Sequence, residues 1–336
     1  MHIAIIGGGI GGMTLALSLH AAGFNDVDIY ESASAIRELG VGVNLQSHAV
    51  RELTELGLLD ELQAVGIPTD EVIYYSQHGQ RIWRDPRGLT AGYRWPQILI
   101  HRGQLLGILH RAVLDRLGAD HVHTGHHLAR LERQEGAVWS EFVDRTTGTA
   151  VARVKTDLLV GCDGIHSVVR RTFYPEEGPP RWNGITMWRG VTVGKSLSPG
   201  RAMTMIGPRG RRVLVFPISK RHEDQGEALL NWVAFFKSAA DQPMPKQDWD
   251  YTAQLEEVLA PYASFVFDFL DVPALIRGAE TIYQYPMVDR EPLPTWDFGR
   301  VTLLGERLIP CIHWAAMARR RRLWMPGCWL VSWRCN

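Results

Sequence analysis

Apolar and polar positions alternate between two periods along this chain. The apolar run from His2 to Ile6 predicts a strand, followed by a glycine-rich turn and a helical pattern from Met13 to Ala22 that Gly23 closes. A second strand, Val27 to Tyr30, ends on Glu31. Helical spacing returns at Ser47 to Leu56. It returns again after His101-Arg102-Gly103-Gln104-Leu105, where Leu105, Leu106, Ile108, Leu109, Val113 and Leu117 make one apolar face and Gly118 the stop. A buried strand, Asp157 to Val160, precedes a helix at Val168 to Phe173. From about Arg181 to Tyr285 the pattern turns strand-rich, with Ile185 to Val193, Val213 to Ile218 and Leu229 to Phe236 separated by Gly, Pro and charged turns. A shorter excursion, Val72 to Trp95, reads as strands and loops of the same layer, and Arg300 to Gly305 reads as a last strand. The class is α/β with a strand-rich insertion.

Composition narrows the partners. At 336 residues and 46% hydrophobic content the chain can bury a sizeable core, as two domains or one elaborated α/β unit. Equal numbers of basic and acidic residues, 36 each, argue against a nucleic-acid binder. Outside the last 31 residues the only cysteine is Cys162, so neither a disulfide framework nor a zinc spacing is present, and a reducing cytoplasm is the expected compartment. No basic leader and no apolar run of bilayer length occurs, so no membrane association is expected. His121, His123, His126 and His127 invite a metal reading. Without a matching set of acids or cysteines they read as a solvated face, and no metal is expected.

The first turn, Gly7-Gly8-Gly9-Ile10-Gly11-Gly12, carries chemistry because of where it sits. Between a strand and a helix, Gly7 permits the tight turn, Gly9 lets backbone approach a pyrophosphate, and Gly12 allows helix and strand to pack closely. The helix N-terminus offers amide donors to phosphate. Glu31, 19 residues after Gly12, is placed to accept from ribose hydroxyls. Glycines recur in Arg37-Glu38-Leu39-Gly40-Val41-Gly42-Val43-Asn44-Leu45, a loop able to pass close to a flat group or simply a surface connection. Arg102 beside a helix start is suited to a phosphate or is a solvated first-turn charge. Asp163, in Gly161-Cys162-Asp163-Gly164-Ile165-His166-Ser167, is open to reading as a site carboxylate or as a helix cap.

Together these segments resemble the single-component FAD-dependent aromatic hydroxylases, the group of salicylate and para-hydroxybenzoate hydroxylases. The resemblance covers residues 1 to 305. It is closest to the phenazine-modifying branch, the 5-methylphenazine-1-carboxylate monooxygenases, through Gly184-Ile185-Thr186-Met187-Trp188-Arg189-Gly190-Val191-Thr192, Asn231-Trp232-Val233 and Gln284-Tyr285-Pro286-Met287-Val288-Asp289-Arg290. It implies a Rossmann-like FAD-binding domain of the para-hydroxybenzoate hydroxylase type at residues 1–71, 96–180 and 286–305, with a substrate domain at 72–95 and 181–285. Gly7, Gly9, Gly12, Glu31 and Arg102 would hold the ADP half of FAD. Arg37 and the loop from Gly40 to Gly42 would lie near the flavin ring, and Asp163 in the turn shared by flavin and the reducing nicotinamide. NADH or NADPH would reduce the flavin, oxygen would add at flavin carbon 4a, and the distal hydroperoxide oxygen would pass to a small, electron-rich aromatic ring. Trp188, Tyr285 and Met287 are pocket candidates that are open equally to reading as ordinary core. Arg189 is a candidate for an anionic substrate group, since a carboxylate suits a planar donor fork. No single catalytic side chain emerges.

The resemblance stops at Gly305. Residues 306 to 336 hold 3 of the 4 cysteines, 4 of the 12 tryptophans, and 6 arginines against one acid, Glu306. Tryptophan and methionine have one codon each, so part of a neighbouring reading frame follows from the protein alone. Taking the last base of each codon with the first two of the next, His313-Trp314, Trp314-Ala315 and Met317-Ala318 force Leu-Gly-x-x-Gly. Trp324-Met325, Met325-Pro326 and Cys328-Trp329 force Asp-Ala-x-x-Leu. Both occur in the family at this spacing, so the sequence points to one nucleotide lost within or just after the codon that follows Gly305. A frame-shifted tail implies a product with impaired hydroxylation. The competing readings are a basic element binding membrane or nucleic acid, and a flavin dehydrogenase without oxygen insertion.

Overall fold

In the computed structural model the described residues are 1–197, 200–238 and 251–305; the tail from Glu306 lies outside them. The chain divides into two compact units. One comprises Met1–Glu38, Leu106–Arg181 and the segment from Asp289, the other Leu39–Leu105 and Trp182–Val288. The second takes in residues 72–95 and 182–285 of the expected insert together with residues 39–71, 96–105 and 286–288. No described helix is long and apolar enough to cross a membrane.

The first unit is built on a five-stranded parallel sheet ordered Val301–Leu303, Leu158–Gly161, Ile3–Ile6, Val27–Tyr30, Val122–His123. Ile3, Ala4 and Ile5 are fully buried, as expected for a parallel strand covered on both faces, whose sequence runs apolar without alternation. Helix Ile10–Ala21 connects the first two strands in sequence and begins three residues before the expected Met13, because its opening turn is made of the glycines themselves. An antiparallel meander, His127–Gln134, Ala137–Val143 and Ala150–Thr156, contributes Leu128, Leu131, Val138 and Phe142 to a core shared with Ala4, Ile6, Tyr30 and Leu159.

The second unit is a seven-stranded sheet ordered Tyr283–Asp289, Arg181–Gly194, Ala228–Lys237, Arg211–Pro217, Ala202–Ile206, Glu71–Tyr75, Arg81–Pro86. Its two faces are separated by the period-two alternation of strand side chains. One face carries Trp188, Val213, Val215, Leu230, Trp232 and Ala234 against Val258, Leu275 and Ile276 of the short helices Leu255–Leu259 and Val272–Arg277. The opposite face carries Met203 and Phe216 against Ile67 and Leu99, which belong to a three-stranded sheet of Gly42–Leu45, Gln97–His101 and Ile67–Thr69. Trp232 is fully buried and fills the space a side chain at Gly190 would need: a Cβ there would lie 2.4 Å from the indole.

A flavin cradle and a buried arginine

In the first unit the glycine turn has the geometry its spacing implied. Gly7 has φ +108°, and a Cβ on Gly12 would fall 1.9 Å from the Gly7 carbonyl, so neither position admits a side chain. Gly9 has open space where its Cβ would be. It caps helix Ile10–Ala21 with extended backbone, no side-chain cap and no acid in the first turn, which leaves the first-turn amides for an incoming acceptor. Glu31 stands beside this turn. Its Oε2 accepts the Gly8 N–H at 2.7 Å, and its Oε1 accepts the Ala33 N–H at 2.8 Å and the Ser32 hydroxyl at 3.1 Å. A small-residue cradle, an uncapped helix start and a carboxylate at the end of the second strand fit the ADP portion of a dinucleotide.

Asp163 acts as a cap. Its Oδ2 accepts the N–H groups of Val168 and Val169 at 2.8 and 3.3 Å, and its Oδ1 accepts the Ser167 hydroxyl at 2.6 Å. Both oxygens serve helix Val168–Phe173, whose N-cap Ser167 in turn accepts from Arg170 N–H. Arg37 is exposed and lies in a segment without regular structure.

Two of the four histidines expected on a solvated face, His121 and His123, are drawn instead to Asp28: their Nδ1 and Nε2 lie 2.9 and 3.5 Å from its Oδ1, and His2 Nε2 lies 2.8 Å from its Oδ2. Burial raises the Asp28 pKa, but His2, His121 and His123 outweigh it and hold the carboxyl below its ordinary range. The acid was missed because parallel pairing of Val27–Tyr30 with Val122–His123 brings it from nearly a hundred residues away. Among the described residues no group of histidines, cysteines and acids could hold a metal ion.

In the second unit, Arg189 is the unusual group. Its guanidinium donates from Nη2 to the Gly42 carbonyl at 2.7 Å, while its Nε is buried with no hydrogen-bond partner among the described residues. Burial pushes its pKa down to about 10; Tyr285 works against that shift and Arg102 adds to it. The group stays charged at neutral pH. No described carboxylate forms an ion pair with Arg189 or Arg102. Arg102 lies by Gly40, where a Cβ would stand 3.6 Å from its Nη1. Gly42 is held from its other side by Asn231, whose Oδ1 accepts the Gly42 N–H at 2.7 Å. A Cβ on Gly42 would meet Asn231 Cβ and Ile218 Cγ2 at 2.7 Å, so the glycine is demanded by close approach.

The other pocket candidates separate by sheet face. Trp188 belongs to the helix-covered core, 7% exposed, with its indole N–H donated to Gln284 Oε1 at 2.7 Å. Arg189, one residue on, points to the opposite side. Tyr285 is partly exposed, stacked on Tyr283 with ring centroids 6.2 Å apart, and acts electrostatically on Arg189. Met287 is 3% exposed. Asn231 had served only as a mark of resemblance. The signal that singles it out is one amide inside the apolar run from Ala228 to Phe236.

Comparison with known proteins agrees with this geometry. The FAD binding domain family matches residues 1–265. Phenazine 1,6-dicarboxylic acid hydroxylase PhzS of Lysobacter antibioticus is 42% identical over 311 residues, spanning 90% of this chain and 75% of its own. 3-Amino-4-hydroxybenzoate 2-monooxygenase of Streptomyces cremeus is 30% identical over 330 residues, spanning 96% of this chain and 76% of its own. Klebsiella pneumoniae HpxO, solved with FAD and uric acid, superposes with a TM-score of 0.73 at 25% identity over 91% of this chain and 73% of its own. With the strand, glycine turn, helix and terminal acid of a dinucleotide site in place, the chain belongs to the FAD binding domain family and is an FAD-dependent monooxygenase of that family.

Proposed function

We propose that the protein hydroxylates a carboxylated N-heteroaromatic ring of the phenazine type, consuming NAD(P)H and molecular oxygen. The observation that carries the substrate class is Arg189: a charged guanidinium with a buried, unpartnered Nε and no described counter-ion is a standing site for an anion. The 42% identical relative is named for a phenazine dicarboxylate, which supports the same class.

Bound FAD supplies the redox chemistry: two electrons from NAD(P)H and a proton accompany O2, one oxygen atom enters the ring, and the other leaves as water. The chain's residues bind and orient. Gly7, Gly9 and Gly12 let backbone amides approach the pyrophosphate, Glu31 accepts from the ribose, and Arg102 is assigned to the same half by resemblance. Arg37 and the Gly40 to Gly42 segment are assigned to the flavin ring on the same ground. Asp163 supports its turn by fixing the following helix. Arg189 anchors the substrate carboxylate, with Tyr285 and Met287 on the same strand face as pocket wall. The cysteine usage favours a reducing cytoplasm, and the charge balance disfavours nucleic acid as a partner.

A second reading concerns the chain as written. The forced codons after Gly305 support a lost reading frame, and with it impaired hydroxylation. The test is to purify the frame-restored protein, identify the nucleotide released on denaturation, and follow NAD(P)H oxidation with phenazine-1,6-dicarboxylate. Flavin release and substrate-stimulated oxidation with a hydroxylated product are expected. Stoichiometric NAD and no flavin would overturn the assignment, and oxidation without hydroxylation would favour a flavin dehydrogenase.

A further inference from the structure

Among the described residues of the second unit, the two that grip Gly42 each keep a buried donor without a hydrogen-bond partner. Arg189 Nε has no partner, and neither does Asn231 Nδ2. Asn231 is fully buried. Its orientation follows from Gly42: the reversed amide would set two N–H donors face to face, whereas Oδ1 accepts the glycine N–H at 2.7 Å. The strands carrying the two residues are antiparallel neighbours, with Arg189 opposite Val233 and Val191 opposite Asn231. Arg189 and Asn231 are therefore diagonal on one face of the sheet, a separation that side chains of this length can bridge with one shared ligand atom. A buried N–H without an acceptor is costly, and two on the same face around one glycine are not a packing accident.

We propose that Arg189 Nε and Asn231 Nδ2 together form an acceptor site for one carboxylate oxygen of the aromatic substrate, with Asn231 the residue that makes the site specific for a carboxylate. The inference rests on the substrate reading of Arg189 above and adds a second donor to it. Clamping Gly42 from both sides serves this site directly: the Gly42 carbonyl takes Arg189 Nη2 and its N–H takes Asn231 Oδ1, so both side chains are held in place while the Nε of one and the Nδ2 of the other are left to donate elsewhere. An unsubstituted ring offers these donors at most a neutral ring nitrogen, whereas a carboxylate oxygen is an anionic acceptor able to take both.

The test uses calorimetric binding of phenazine-1,6-dicarboxylate and of unsubstituted phenazine to the full FAD-loaded chain, with flavin content and melting temperature recorded. Asn231→Asp keeps the acceptor for Gly42 and removes the donor; it is expected to weaken the dicarboxylate about 10- to 100-fold, the scale of a hydrogen bond to a charged group, and to leave phenazine within about twofold. Asn231→Ser, which adds no charge, is expected to weaken the dicarboxylate about tenfold. Wild-type affinity of Asn231→Ser would overturn the donor role, since the loss in Asn231→Asp would then come from repulsion alone. Equal weakening of both ligands would overturn it as well. Arg189→Lys separates the two readings: if it loses the dicarboxylate while both Asn231 variants keep it, only the present inference falls. If wild type itself binds the dicarboxylate no better than phenazine, the anionic substrate class falls with it.

Discussion

Glu31 Oε2 accepts the backbone N–H of Gly8 at 2.7 Å, which ties the end of the second strand to the glycine turn after the first. One carboxylate thus shapes the cradle before any nucleotide arrives, and the proposed function gives it a second task, accepting from the ribose. Replacing Glu31 with Ala removes both functions. FAD affinity should fall by about 1–3 kcal/mol, five- to 150-fold, measured by fluorescence titration of apoprotein. Unchanged affinity would mean that the ribose is held elsewhere.

Trp188 and Arg189 are adjacent in sequence and separate in role. Trp188→Phe deletes the bond to Gln284 Oε1 while keeping the ring among its apolar neighbours. Stability should drop by about 1 kcal/mol, seen as a lower midpoint in urea, with the substrate constant unchanged. A raised substrate constant at wild-type stability would return Trp188 to the pocket.

Alongside Asp28, Glu177 should contribute to acid sensitivity. Burial raises its pKa, but Arg170 and Arg290 pull harder, and the carboxyl ends below its ordinary value. Its Oε2 lies 2.6 Å from Arg170 Nε and 2.9 Å from Arg290 Nη1, and the Arg170 side chain is only 3% exposed. A depressed folded pKa means that the stabilisation is complete above the unfolded value, about 4.3, and is lost as pH falls through the folded one. Glu177→Gln should therefore cost about 3 kcal/mol at pH 7, near the lower end for breaking a buried pair. Melting curves of the variant and wild type should converge as the pH is lowered through that range. A gap that persisted at pH 2 would show that the loss is not electrostatic.

Residues 306–336 should be replaceable to advantage. Restoring the frame after the Gly305 codon should raise the ratio of hydroxylated product to NAD(P)H consumed, with less hydrogen peroxide released, because an open flavin site leaks reducing equivalents to oxygen. Equal coupling in the two proteins would defeat the frameshift inference and would mean that the basic tail completes a working site.

What the sequence disclosed depended on how local each signal was. The glycine turn and strand Val27–Tyr30 were legible because their constraints lie within about thirty residues, and Ser47 was read as the start of its helix by periodicity alone. The strands at 181–194, 211–217 and 228–237 were found, but not which side chain faces which way, since register is a long-range property. Asp28 could not be joined to His121 for the same reason. Helices Leu59–Val65, Leu255–Leu259 and Val272–Arg277 escaped because one or two turns leave too few residues for a period to register. Asp163 was ambiguous until its oxygens could be seen to accept from the helix it precedes.

On strand Arg181–Gly194 the Arg189 side chain turns to Gly42, while Trp188, Gly190 and Thr192 face the tryptophan core. Selection on ligand preference and selection on folding therefore fall on interleaved codons of one short stretch of gene. On the proposed function a lineage can retune what it recognises at 189 without reopening the packing around Trp232, and drift at 188, 190 and 192 will surface as lost protein long before it surfaces as changed chemistry.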